Sequence, residues 1–253
     1  MEITVLGSGT ATPSLERNAS GLAVRSAGKL VLVDMGPGTI RRLCEARIDT
    51  RLVDAILVTH FHPDHVSDIV PFLFASNYSF GPVREELFGI IGPRGLQEYY
   101  NSLVRTYGHW IVPNRDRLRI TELLPDAPDS LELDGLRICS RPSCHCEPSL
   151  SYRIEAGPAS VTISGDTDVC QDLVELAGHT DCLICECSMP DGLKVPGHLV
   201  PSEAGAIAEK ASAARLVLTH MYPPCEEVDV VAQARRTFSG EIAKARDLMT
   251  IVL

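Results

Sequence analysis

Short apolar runs separated by glycine, proline and serine make up the first part of the chain. Their length and their content of valine, isoleucine and leucine are typical of buried strands. Strands are predicted at Ile3 to Leu6, Gly21 to Arg25, Leu30 to Asp34 and Asp54 to Thr59. After Pro37 the period changes to that of a helix, because Ile40, Leu43 and Cys44 would share one face.

The rest of the chain alternates between helix and strand periods. Helices are predicted at Val66 to Ala75, Leu96 to Tyr107, Ser202 to Ala213 and Val228 to Phe238. Strands are predicted at Leu131 to Ser140, Ser151 to Glu155, Ser160 to Ser164, Cys182 to Cys187, Leu216 to Thr219 and Leu248 to Val252. One more helix would follow Asp168, with Asp168 and Gln171 as a capping pair, a stripe of Val169, Leu173 and Leu176, and an end at Gly178.

This order of elements predicts an α/β fold in which two sheets pack face to face and helices cover them. No proline-, glycine- or serine-rich linker and no repeat divides the chain, so one domain is expected over residues 1–253.

The segment after the strand at Asp54 to Thr59 carries the strongest chemical signal. It reads His-Phe-His-Pro-Asp-His from His60 to His65. Three imidazoles and a carboxylate at this density would be unpaired or mutually repelling without a cation, so they predict a metal site. Nitrogen and oxygen donors together suit zinc, manganese or iron.

Other metal-type residues stand where predicted strands end. They are His145, Asp166, His198 and His220, whereas His109 and His179 lack this placement and are interpreted as surface or structural residues. Because the candidates run from His60 to His220, the site needs most of the chain.

Charge and cysteine content narrow the function classes. A net charge of −10 disfavours a protein that holds long polyanions on a general basic surface. The chain opens directly into a strand, without a signal-peptide pattern or a membrane-spanning stretch, so a cytoplasmic protein with reduced cysteines is expected. Cys144, Cys146, Cys182, Cys185 and Cys187 allow a second, structural zinc site, but alternation would turn Cys182 away from Cys185 and Cys187, which favours packing.

Taken in order, several motifs resemble the metallo-β-lactamase superfamily, and within it the branch of ribonuclease Z and its smaller phosphodiesterase-like relatives. The motifs are Leu6-Gly7-Ser8-Gly9-Thr10, Val33-Asp34-Met35-Gly36, the His60 to His65 stretch, Ser164-Gly165-Asp166-Thr167, Glu186, Gly197-His198 and Leu218-Thr219-His220. The resemblance covers nearly the whole chain and implies an αβ/βα four-layer sandwich of two mixed sheets flanked by helices.

The resemblance also implies a dinuclear centre. His60, His62 and His145 would hold one divalent cation, and Asp64, His65 and His220 the other, with Asp166 between them. The cations would be zinc, with Mn²⁺ or Fe²⁺ as alternatives, and a bridging hydroxide would be the nucleophile. Asp64, His198 and Glu186 would be the catalytic residues. His198 would stabilise the transition-state oxyanion or protonate the leaving oxygen, and Glu186 would orient the His198 ring, while Asp34 would support a ligand histidine.

Two departures from ribonuclease Z bear on the substrate. Only 20 residues separate His145 from Asp166, which leaves no place for the flexible tRNA-binding arm of that family, and Met221-Tyr222-Pro223-Pro224 replaces its Ser-Arg-Tyr sequence. We therefore expect a phosphodiesterase acting on a small or cyclic phosphodiester, with no long nucleic acid or membrane partner and with a homodimer left open. The alternatives are hydrolysis of carboxylic, lactone, thioester or sulfate esters, tRNA 3′ processing, a diiron protein that reduces oxygen or nitric oxide, and a non-catalytic metal-binding protein.

Overall fold

Two sheets of seven strands organise the protein in a computed structural model that describes residues 1–78, 86–113 and 117–253. The strands are, in chain order, β1 (Glu2–Gly7), β2 (Gly21–Ser26), β3 (Lys29–Val33), β4 (Ala55–Leu57), β5 (Phe88–Pro93), β6 (Leu118–Leu123), β7 (Asp129–Leu133), β8 (Leu136–Pro142), β9 (Leu150–Ala156), β10 (Ala159–Ile163), β11 (Cys182–Glu186), β12 (Arg215–Thr219), β13 (Glu241–Lys244) and β14 (Thr250–Val252). The first sheet has the order β14-β1-β2-β3-β4-β5-β6, and the second has the order β13-β12-β11-β10-β9-β8-β7.

Both sheets are mixed, and each has a parallel part. Strands β3 to β6 run parallel in the first sheet, and β10 to β13 run parallel in the second. The remaining strand pairs are antiparallel. Since β14 pairs with β1, the two ends of the chain meet at one edge of the first sheet. The prediction of one domain over residues 1–253 stays a prediction.

Helices cover the outer faces of the two sheets. They are α1 (Thr39–Glu45), α2 (Pro63–Val66), α3 (Ile69–Tyr78), α4 (Leu96–Tyr107), α5 (Gln171–Leu176), α6 (Pro201–Lys210) and α7 (Val230–Ala234). Single 3₁₀ turns occupy Thr50–Leu52, Gly108–Ile111 and Pro223–Glu226. None of the helices in these three described stretches is long and apolar enough to cross a membrane.

Strand alternation divides the buried side chains among three apolar clusters. In β3, Val31 and Val33 belong to the cluster between the sheets, while Leu30 and Leu32 face the helices. In β11, Ile184 faces the first sheet and Leu183 faces α5 and α6. Because both faces of these strands are covered, they read as continuous apolar runs, as parallel strands do. The four-layer αβ/βα sandwich is therefore confirmed.

Some predicted elements were wrong. The segment Leu131 to Ser140 is a hairpin of β7 and β8, because Asp134 and Gly135 both have positive φ and form the turn between them. The N-cap of α5 is Cys170 and not Asp168, and Val169 is exposed. Cys44 is likewise exposed on α1.

Candidate metal centre

The candidate residues meet at the carboxyl ends of the parallel strands, where an α/β fold presents functional groups. From the first sheet, Asp34 follows β3, and His60 to His65 lie between the end of β4 and the first turn of α2. From the second sheet, Asp166 follows β10, Glu186 ends β11 and His220 follows β12. His145 lies in the loop between β8 and β9, and His198 precedes α6.

Two turns at this edge require the left-handed region of backbone space. Asp34 and His220 have φ values of 59° and 54°. Positive φ is costly for most side chains and clusters at functional sites, where the surrounding structure enforces it. At Gly165, φ is 58°, and an added Cβ would lie 2.9 Å from Thr59 Cβ, so a glycine is needed before Asp166.

Asp166 stands between two groups of candidate ligands. Its Oδ1 lies 3.3 Å from both His65 Nε2 and His220 Nε2. Its Oδ2 lies 3.8 Å from His60 Nε2 and 3.7 Å from His145 Nε2. Asp166 is buried, and one oxygen of its carboxylate faces each group.

Each group is closed by contacts among its other members. In the first group, which contains His60, His62 and His145, His145 Nε2 lies 3.2 Å from His62 Nδ1. In the second group, which contains Asp64, His65 and His220, the Nε2 atoms of the two histidines lie 3.3 Å apart, and Asp64 Oδ2 lies 3.6 Å from His220 Nε2. Two ligands of a tetrahedral ion with bonds of 2.0–2.1 Å are about 3.3 Å apart, so these separations fit the edges of a coordination shell.

Two buried polar atoms support the same interpretation. His60 Nε2 and Asp166 Oδ1 have no hydrogen-bond partner among the described residues, although both side chains are buried. An unpaired buried polar atom is costly, and a cation in contact with it removes that cost. The donor set and these two orphaned atoms therefore fit divalent metal.

The outer ring nitrogen of four histidines is held by a partner, which leaves Nε2 directed at the centre. His65 Nδ1 donates to Asp34 Oδ2 at 2.7 Å, and His145 Nδ1 donates to the Gly197 carbonyl at 2.8 Å. His60 Nδ1 and His220 Nδ1 lie 3.0 and 3.2 Å from the hydroxyls of Thr59 and Ser188. Such contacts fix the tautomer that a metal ligand needs.

Electrostatics within the cluster follow from burial and close contact. Burial, with the neighbouring histidines, lowers the pKa of His60 to about 2, so that ring is neutral. Burial alone would raise the pKa of Asp64, but contact with His220 and His65 lowers it to about 2. Burial would lower the pKa of His65, yet the charges of Asp166 and Asp34 raise it well above its usual value. The Asp64 carboxylate, and that of Asp166, whose pKa the neighbouring histidines also lower, thus stay ionised and attract positive charge into the centre.

His198 and Glu186 form a second pair beside the cluster. His198 Nδ1 donates to Glu186 Oε1 at 2.9 Å, so Nε2 is the ring nitrogen left for a substrate. Burial acts to lower the pKa of His198, but the hydrogen bond and charge of Glu186 raise it overall. Glu186 Oε2 also accepts from the Ser188 hydroxyl at 2.7 Å, which links it to His220.

The structure brings together all the residues that the sequence singled out for the site. Those residues are His60, His62, Asp64, His65, His145, Asp166, Glu186, His198 and His220, with Asp34 behind His65. Sequence reasoning missed Thr59, Ser188 and the Gly197 carbonyl, which hold the histidines from outside. Only their positions beside the motifs could have indicated them. His109 is exposed and belongs to none of the candidate metal groups in the described chain.

The cysteine prediction agrees with the structure for the β11 residues. Cys182 packs between the sheets, while Cys185 and Cys187 pack against the helices, as alternation predicted. Cys146 is different, because its sulfur lies with His60, His62 and His145 in one candidate metal group.

The sequence is similar to that of a known domain family and of a ribonuclease. A β-lactamase superfamily domain model matches residues 29–221. Ribonuclease Z of Mycobacterium bovis is 30% identical over 275 residues, which cover 98% of this chain and 96% of that protein.

Two solved structures superpose on nearly the whole chain. YhfI of Bacillus subtilis, a metallo-β-lactamase fold protein, has a TM-score of 0.84, 24% identity and coverage of 99% of both chains. The short form of human tRNase Z has a TM-score of 0.82 and 25% identity, covering 100% of this chain and 99% of that one. The resemblance inferred from the motifs is confirmed.

Proposed function

The chain belongs to the metallo-β-lactamase superfamily, in its ribonuclease Z-like branch, and from this membership we propose that it is a dinuclear metal-dependent phosphodiesterase. Its substrate is a small or cyclic phosphodiester. Two zinc ions are the proposed cofactors, one held by His60, His62 and His145, the other by Asp64, His65 and His220. Asp166 belongs to both sets.

The observation that carries this proposal is the division of the Asp166 carboxylate. Its two oxygens face two separate groups of imidazole nitrogens at 3.3 to 3.8 Å. A carboxylate shared between two groups of donors suits a pair of cations about 3.5–4 Å apart. When bound, such a pair supplies Lewis acidity to a phosphoryl oxygen and lowers the pKa of a bound water toward about 7.

The chain's own residues do the rest of the chemistry. Since Nδ1 of His198 donates to Glu186, Nε2 is the nitrogen that donates a proton to the leaving oxygen in this proposal. Glu186 keeps the charged form of the imidazole favourable, as the raised pKa of His198 indicates. Asp64 keeps its negative charge beside His220 and so holds the second group in place.

A cavity beside Asp64 supports a small substrate. It has a volume of about 320 Å³, and its lining includes the hydroxyl side chains of Thr10, Thr12 and Ser14 together with Arg17. Between His145 and Asp166 the chain forms only the β9-β10 hairpin, with Ala156 paired to Ala159. A projecting tRNA-binding arm is therefore absent from this described segment.

The second candidate is a ribonuclease Z-type endonuclease for tRNA 3′ ends. The observation that favours it is the likeness to ribonuclease Z of Mycobacterium bovis over 96% of that protein's length. Both candidates use the same phosphodiester chemistry, and they differ in the size of the substrate. Hydrolysis of carboxylic, lactone, thioester or sulfate esters remains the alternative from another substrate class.

The test is the rate of hydrolysis of bis-nitrophenyl phosphate by protein loaded with zinc or manganese, with Asp64→Ala as the blank. Metal-dependent turnover that the blank lacks would support a phosphodiesterase, and cyclic nucleotides and a tRNA precursor with a 3′ trailer would then be compared. Faster cleavage of the precursor than of every small diester would favour the second candidate. Turnover of nitrophenyl acyl or sulfate esters alone would overturn both.

A further inference from the structure

Cys146 stands directly beside a candidate ligand and inside a candidate metal group. Its Sγ lies within 4.8 Å of one ring nitrogen each of His60, His62 and His145, and those nitrogens lie within the same distance of one another. The ligand set that the sequence implied for this half of the centre contains no sulfur. Because these atoms lie so close together, a cation bound to the three histidines would lie within reach of the half-buried Cys146 sulfur.

A second observation points to a ligand at the same place. His60 is fully buried, and its Nε2, one of the atoms that faces this group, has no hydrogen-bond partner in the described chain. This half of the centre therefore has an unpartnered ring nitrogen from the segment after β4 and a thiol from the loop between β8 and β9. A cation between them would contact both.

The loop that carries Cys146 is fixed on both sides of the thiol. The Ser149 hydroxyl is buried and donates to the Cys146 carbonyl, and it lies 3.2 Å from Cys146 Sγ. His145, the preceding residue, donates from Nδ1 to the Gly197 carbonyl at 2.8 Å. These contacts hold two consecutive side chains towards one space, an arrangement that the bends at residues 144–148 allow and an extended strand would not.

We propose that Cys146 is a sulfur ligand of the cation bound by His60, His62 and His145. The inference rests on the metal centre of the proposed function and not on its substrate. Binding of the sulfur releases the thiol proton to solvent, and a sulfur–metal bond takes its place. Thiolate ligands bind zinc well and manganese poorly, because manganese favours oxygen ligands. The two halves of the centre therefore differ: the one with Cys146 is selective for zinc, and the one with Asp64, His65 and His220 accepts harder ions.

The experiment uses cobalt(II) as a coloured probe of the metal-free protein. A thiolate bound to cobalt gives a charge-transfer absorption in the near ultraviolet that nitrogen and oxygen ligands do not give. The variants are Cys146→Ser and, as the matched control, Cys144→Ser, an exposed cysteine on the other side of His145 that belongs to none of the candidate groups. The wild-type protein and the control are expected to show the band, and Cys146→Ser is expected to bind cobalt without it.

Two further measurements give readouts besides colour. X-ray absorption of the zinc protein should show a sulfur neighbour at about 2.3 Å that is lost in Cys146→Ser. In competition with a chelator, zinc affinity should fall at least about tenfold in Cys146→Ser, since even outer partners of ligands contribute that much. Manganese affinity should change less than about twofold in the same variant.

The outcomes separate this inference from the function on which it rests. A charge-transfer band that persists in Cys146→Ser, or cobalt bound to the wild-type protein without any band, would overturn the role of Cys146 and leave the metal centre standing. Failure of all three proteins to bind cobalt would overturn the metal centre itself, whatever the phosphodiesterase assay gives.

Discussion

The hydrogen bond from His65 to Asp34 is the residue-scale contact on which one half of the proposed centre depends. Asp34 accepts from His65 Nδ1 at 2.7 Å and from the amide and hydroxyl of Thr59 at 2.9 Å each. Thr59 in turn contacts His60, so one carboxylate orients two candidate ligands. A substitution at this position has to keep two properties of Asp34. One is its carboxylate acceptor, and the other is its tolerance of a positive φ.

We therefore predict that Asp34→Asn weakens metal binding about 10- to 100-fold while the protein still folds. Asparagine tolerates positive φ as aspartate does, but its neutral oxygen is a weaker acceptor for the imidazole. Zinc affinity measured against a chelator tests this. Asp54→Asn is the control, since Asp54 binds the Leu30 amide at the opposite end of β4. Equal zinc affinity in both variants would contradict a supporting role for Asp34.

His198 supplies a second residue-scale prediction. In His198→Ala, kcat for bis-nitrophenyl phosphate should fall about 10²- to 10⁴-fold, the usual contribution of a general acid. Metal content should not change, because His198 is outside both proposed ligand sets. His109→Ala, which removes an exposed histidine, should keep the wild-type rate. A loss of bound metal in His198→Ala would show that this histidine is a ligand and not an acid.

At the scale of elements, the sequence predicted most strands because their apolar runs are buried on both faces. It missed β5, since Gly89, Gly92 and Pro93 read as turn residues, and it missed β6, in which Arg119 and Glu122 break the pattern. Both strands are made stable by their neighbours in the sheet, which local periodicity does not contain. The candidate ligands could be predicted because three histidines and an aspartate within six residues would be unpaired without a cation, whereas Ser188 is an ordinary residue until its contacts are known.

The loop between β10 and α5 carries the prediction at this scale. Asp168 accepts from the Gly197 amide at 3.0 Å and from Lys194 Nζ at 2.7 Å, and so ties this loop to the one that carries His198. Burial would raise the pKa of Asp168, but these hydrogen bonds lower it from 3.8. A carboxylate with a lowered pKa stabilises the fold above its unfolded pKa, and that stabilisation is lost as pH falls through the folded value.

Asp168→Asn should accordingly unfold at a lower urea concentration at pH 7. Its free energy of unfolding should fall by about 1 kcal/mol, a figure that allows for solvent screening of this part-exposed group. The difference in free energy of unfolding between the variant and the wild type should stay constant down to about pH 5, and it should shrink as the pH falls below the ordinary pKa of 3.8. Urea titrations of metal-free protein from pH 7 to pH 3 measure it, with the exposed Asp126→Asn as control. A difference that does not narrow at low pH would mean that the charge of Asp168 is not what stabilises the loop.

For the whole molecule, the proposed centre lies across the seam between the two sheets. Asp34 and the His60 to His65 segment follow strands of the first sheet, while Asp166 and His220 follow strands of the second. The sheets are held together by their shared apolar cluster and, near the centre, by the Tyr152 hydroxyl, which donates to the Val58 carbonyl at 2.7 Å. Cations bound here would add a second set of contacts that join the same two sheets.

Removal of metal should therefore lower the free energy of unfolding of the whole chain. A cation present at 1,000 times its dissociation constant stabilises a fold by about 4 kcal/mol if it binds only the native state. His65 follows the first sheet and His220 the second, and their Nε2 atoms lie 3.3 Å apart, so one cation would contact both. Calorimetry with zinc and with a chelator should show a single transition that moves to lower temperature in the chelator. Asp166→Ala should unfold at nearly the same temperature in both, because it removes the carboxylate shared by the two groups. If instead the wild-type transition did not move, the centre would bind zinc too weakly to join the sheets, and their packing alone would account for the stability of the fold.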